Sequence, residues 1–117
     1  MDLAYLARRI GARVVTEGSS PNHVIDSIYA GDRISDLLTH ASQKTLLVTN
    51  LSSALLVCVA ELMDVPAVCL VGGQAPAPEI VSAAKARGMF LMVSHGDLFE
   101  TCGRVYGCWH DSMQSDA

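Results

Sequence analysis

Aromatic residues make up only 5% of this chain and charged residues only 17%. A core of stacked rings is therefore excluded, and the apolar half of the composition has to pack as Val, Leu, Ala, Ile and Met. No basic cluster exceeds the pair Arg8-Arg9, and the formal charge is −4. A surface that follows a phosphate backbone needs a basic patch or stripe, so nucleic-acid binding is disfavoured. Long uninterrupted apolar runs are missing as well. The most apolar stretch, Ala54 to Val71, is broken by Glu61, Asp64 and Pro66, which argues against a membrane span. Met1 is followed by Asp2 and helical periodicity, not by a basic segment and an apolar leader, so a cytoplasmic chain is expected.

Catalytic signatures are equally scarce. No Gly-x-x-x-x-Gly-Lys-Ser/Thr run and no Gly-x-Gly-x-x-Gly after a strand occurs, so a phosphate-loop kinase lacks its parts and no cofactor is implied. The four cysteines, Cys58, Cys69, Cys102 and Cys108, include no Cys-x-x-Cys pair and do not resemble a disulfide framework. Reduced thiols acting as small hydrophobes are expected. Cys102, Cys108 and His110 offer three soft ligands at a spacing that fits no standard zinc pattern, and no metal site is assigned.

The periodicity that is present alternates helix with strand. Leu3, Leu6, Ala7 and Ile10 recur at helical spacing up to Gly11, and Arg13 to Thr16 reads as a strand. A loop from Glu17 to His23 precedes a second strand, Val24 to Ala30. Ile34, Leu37, Leu38 and Ala41 mark a helix, and Thr45 to Thr49 a strand. The helix from Ser52 to Met63 is apolar nearly all round, which predicts burial on more than one side. Ala67 to Val71 is a strand, Pro78 opens a helix that Gly88 ends, and Met89 to Val93 is another strand. Asp97 with Glu100 forms a capping box for a last helix that buries Leu98, Thr101, Cys102 and Val105. A domain over residues 1–107 is expected, followed by a polar, frayed tail over 108–117.

Strands apolar on both faces and alternating with helices predict a three-layer α/β/α domain around a mostly parallel sheet of about five strands. Such sheets bind ligands outside the carboxyl ends of their strands. Those ends carry Gly31 and Asp32, then Thr49, Asn50 and Ser52, then Gly72 and Gly73, then Ser94 and Asp97. Together these are the candidate ligand-binding residues, with Gly72-Gly73 near a helix start as a possible cradle for an anion. Each also has a structural use. Asn50, Ser52, Asp32 and Asp97 can cap helices, and the glycines can supply positive φ.

The runs Ile28-Tyr29-Ala30-Gly31-Asp32, Leu47-Val48-Thr49-Asn50, Val71-Gly72-Gly73 and Ala84-Lys85-Ala86-Arg87-Gly88, with the closing segment from Ser94 to Tyr106, resemble the DRTGG domain. The small stand-alone versions from anaerobic bacteria are the nearest in form. Val71 replaces the threonine of the family's name motif, and Asn50-Leu51-Ser52 stands where its acid–arginine pair falls. The resemblance implies a fold like the N-terminal domain of HPr kinase/phosphorylase and a regulatory or dimer-forming role beside catalytic or nucleotide-sensing CBS domains. Three functions are weighed: a regulatory module binding a nucleotide or other small anion, an interaction domain dimerising through the apolar helix Ala54 to Met63, and a small enzyme using His95 with Asp97 or Asp32.

Overall fold

The computed structural model describes residues 2–18, 25–51 and 54–115. Its elements run α1 (Leu3–Ile10), β1 (Arg13–Glu17), β2 (Ser27–Ala30), α2 (Ile34–His40), β3 (Thr45–Thr49), α3 (Ala54–Met63), β4 (Ala67–Leu70), α4 (Pro78–Arg87), β5 (Phe90–Val93) and α5 (Leu98–Ser115). One five-stranded sheet has the order β1-β5-β4-β3-β2. β2 to β5 pair in parallel, and β1 lies antiparallel against β5 with an irregularity between Val14 and Thr16. This is the three-layer α/β/α architecture that the alternating pattern predicts. Residues 19–24, which include Val24 and most of the long loop, lie outside the described residues, and β2 starts at Ser27.

The central strands β3, β4 and β5 are buried at every position, which is why they read as unbroken apolar runs. Their side chains alternate between two cores. One face packs Leu47, Val68, Leu70, Leu91 and Val93 against α2, α3 and α4. The other packs Leu46, Val48, Cys69, Phe90 and Met92 against α1 and α5. Each fully buried aliphatic side chain contributes roughly 1.5–3 kcal/mol of transfer free energy.

Two expectations are corrected. α3 is not buried on more than one side: Leu56, Val59 and Ala60 face the core, whereas Leu55 is 56% and Leu62 74% exposed. α3 packs on one sheet face between α2 and α4. The chain also does not fray after Gly107. α5 continues to Ser115, with Cys108 buried and Trp109 packed against the α1 side of the core. Tertiary contact holds together a helix that two internal glycines and a polar end weaken.

Candidate functional site

The parallel strands place their carboxyl ends in a row, in the order Ser94, Gly72, Asn50, Gly31 across the sheet. Neighbouring loops are tied by backbone bonds. Val71 N–H donates to Thr49 O at 3.1 Å, and Gly31 N–H to Val48 O at 3.0 Å. The convergence expected from right-handed crossovers is therefore present among the described residues. Ser52, one of the candidate residues, lies outside them.

Most of the polar groups in this row are spent on the fold. Gly72 and Gly73 adopt φ of 91° and 73°, so their positive φ is used. Their N–H groups are not free for an anion, because they donate to Gly96 O at 2.9 Å and Ser94 O at 2.8 Å. That removes the expected cradle. A β-carbon at Gly73 would also stand 3.2 Å from the His95 ring. Thr49 is buried, and its Oγ1 accepts from Leu51 N–H at 3.1 Å. Ser94 is fully buried, shares a 2.7 Å hydrogen bond with the Thr101 hydroxyl, and accepts from Gly96 N–H at 3.3 Å. Asp97 accepts from Glu100 N–H at 2.8 Å, and Glu100 accepts in return from Asp97 N–H at 3.4 Å, completing the expected capping box. Asp32 does not cap α2. Arg33 occupies that position without a side-chain cap bond, and Asp32 stands exposed.

What is left facing outward is modest. Asn50 and Gln74 border a hollow of about 180 Å³ between the ends of β3 and β4 and the start of α4. Drug-sized ligands fill roughly 300–1,000 Å³, so the hollow suits a small ion or group better than an intact nucleotide. α4 begins at Ala77 with no side-chain cap, but Glu79 already supplies negative charge in its first turn. Asp97 is engaged as a cap and His95 packs on Gly73, and neither lines this hollow.

Two of the thiols are turned inward. All four cysteines are free, with Cys69 and Cys108 buried and Cys58 exposed on α3. Burial, reinforced by the nearby Cys102, pushes the Cys69 thiol from its ordinary 9.0 up to about 12, against a smaller lowering by the Ser94 backbone. Burial also raises Cys102. Burial keeps the Cys69 thiol protonated at neutral pH, where a thiol is a poor nucleophile.

A larger concavity, missed by sequence reasoning, lies around the side of the sheet. Over β2 the α1/α5 layer runs out, and a groove of about 360 Å³ opens between the strand and α5. Ile28, Ala30 and Val48 form its floor and Val105, Tyr106 and Trp109 its wall. The available signal was the count of helices on each face, which cannot be assigned before the strand order is known.

No family model matches the chain, and no curated protein does. Among solved structures, the chain is similar to the CBS and DRTGG domains of the regulatory region of Clostridium perfringens pyrophosphatase, complexed with its activator diadenosine tetraphosphate. The likeness has a TM-score of 0.71 at 13% identity and covers 89% of this chain and 45% of that one, so the chain spans less than half of that structure. At this identity the likeness concerns the fold alone, and it is consistent with a DRTGG-like fold.

Proposed function

We propose that this chain is a non-catalytic regulatory module that works by association, as a homodimer. One contrast carries the reading. The polar groups of the strand-end row are largely consumed by hydrogen bonds within the fold, whereas apolar surface is turned outward at the β2–α5 groove, whose wall includes the exposed Tyr106. Exposed apolar groups gathered at a concavity suit a protein surface better than a charged metabolite. The regulatory setting of the structural neighbour supports the same role. Sedimentation velocity over a concentration series tests it. A reversible dimer is expected, and a monomer at every concentration would overturn the reading.

A second reading rests on the hollow beside Asn50 and Gln74. There Asn50 and Gln74 would receive a small anion or one phosphate of a nucleotide. The neighbour's activator, a dinucleoside tetraphosphate, makes nucleotides the first ligands to try. Thermal-shift measurements with nucleotides, diadenosine tetraphosphate and acyl phosphates separate the two readings. Stabilisation that saturates with ligand supports this one, and no shift at high ligand concentration removes it.

A further inference from the structure

The helices α1 and α5 pack side by side, and their seam gathers charge that the strand-end row and the β2 groove do not use. Along the chain, Arg8-Arg9 is an isolated basic pair. Folding brings Arg104 to it from the other end of the sequence. Arg9 and Arg104 border one hollow of about 350 Å³, together with Tyr106, Gly107, His110 and Asp111.

Both guanidinium groups are held by the fold. Arg9 donates from Nη1 to the Tyr5 hydroxyl at 2.7 Å and from Nη2 to Asp111 Oδ2 at 3.2 Å. Arg104 donates from Nη1 to Ile10 O at 3.4 Å, at the end of α1. A guanidinium carries five N–H donors, so these bonds orient each fork and leave part of it for an anion. The charges do not balance. Asp111 meets Arg9 with both side chains well exposed, at 60% and 43%, and Arg104 has no carboxylate within ion-pair reach among the described residues. Two cations therefore share a hollow with one acid, in a chain whose formal charge is −4.

Gly107 keeps the space open. It lies about one turn from both Arg104 and Asp111 along α5, inside a helix, where glycine is unfavourable. Packing does not require it, because a β-carbon there would meet nothing within 4 Å.

We infer that this hollow is a site for a small phosphate monoester, whose dianionic group bridges Arg9 and Arg104 and displaces Asp111 from Arg9. Planar guanidinium forks match the oxygens of a phosphate, and a dianion gains more from two of them than the single charge of Asp111 does. The volume falls in the range of small-molecule sites, so an organic group has room beside Tyr106. Asp111 then serves as an internal stand-in for the ligand. The inference goes beyond the association reading and does not rest on it.

The test is an NMR titration of the full chain at constant ionic strength with inorganic phosphate, glycerol phosphate and acetate. Saturating shifts are expected at the Gly107 amide and the Arg9 and Arg104 side chains with both phosphates, and acetate is expected to bind about tenfold more weakly or worse. Arg104→Gln is expected to weaken phosphate binding about tenfold or more, although it also removes the bond to Ile10 O. Gly107→Glu keeps the test independent of that bond: it suits a helix better than glycine, clashes with nothing, and sets a carboxylate in the hollow. Binding is expected to be lost in this variant with the melting temperature held or raised. Asp111→Asn removes the competing charge and is expected to tighten binding several-fold, which a purely structural ion pair would not do. Phosphate that binds no better than acetate, binding that survives Gly107→Glu, or no gain from Asp111→Asn overturns the site. Shifts confined to Asn50 and Gln74 overturn it too, and assign the anion to the strand-end hollow.

Discussion

The two faces of the sheet are covered unequally. α2, α3 and α4 lie over one face, whereas α1 and α5 alone lie over the other. Five strands span roughly 24 Å at about 4.8 Å each, and two helices side by side cover about 20 Å. The three-helix face is closed as far as β2, where Tyr29 stacks on His40 of α2 at 4.2 Å. On the two-helix face α1 and α5 pack on each other, α1 on β1 and α5 on β3, so Ile28 and Ala30 of β2 are left as a groove floor. The unequal count of helices, not any special sequence, creates this apolar groove.

The sharpest way to break that comparison is to truncate one residue from each side of it. Leu47 is fully buried under the three helices, and Leu47→Ala is expected to cost about 2–5 kcal/mol in chemical denaturation, by lost transfer energy and a cavity. Ile28, half-buried on the groove floor, is expected to cost below about 1 kcal/mol as Ile28→Ala in dilute protein. Equal losses would show that the groove is filled. Ser94→Ala comes next. It deprives the fully buried Thr101 hydroxyl of its 2.7 Å partner, and a loss of about 1–3 kcal/mol is expected. The double change Ser94→Ala with Thr101→Val should cost less than the two single changes summed, because the hydrogen bond that the two hydroxyls share is lost only once.

Alkaline pH probes the two-helix core through Cys69. The unfolded thiol ionises near its ordinary 9.0, while the folded one holds its proton to about 12. The native state therefore binds more protons in that interval, and stability falls as pH rises through it, by roughly 1 kcal/mol per pH unit from this group. Below pH 9.0 the contribution is fully present. Cys69→Ala should flatten the slope in denaturation measured at about pH 8 and about pH 10, and an unchanged slope would place its cause elsewhere. The smallest effect is expected at the strand-end row. Asp97→Ala removes a helix cap and should cost about 1 kcal/mol in the same assay, with no change in association.

Much of this architecture was legible before any coordinates. β3, β4 and β5 stand out because both faces of each are buried, which leaves no polar alternation to confuse with a loop. Pro78 at the first turn of α4, Gly88 beyond its end, and the Asp97–Glu100 box mark boundaries through local chemistry alone. Periodicity measures apolar content and not which neighbours exist, so Leu55 and Leu62 of α3 look like core residues in sequence and face outward in the fold. α5 was cut short because Gly107 and the polar residues after it weaken a helix in isolation, whereas Cys108 and Trp109 find partners on the sheet.

The candidate site divides along the same line. That Gly31, Thr49, Gly72 and Ser94 would end side by side follows from chain order and the handedness of crossovers, and so belongs to the sequence. What those groups do there does not. The N–H groups of Gly72 and Gly73 find their acceptors on a loop more than twenty residues away, and Ser94 finds Thr101 across the start of a helix. Hydrogen-bond partners across a sheet are set by strand order and register, which local propensity does not encode. For the same reason the groove over β2 became visible only once the sheet was assembled, when five strands had found their order and two helices proved too few to cover one face.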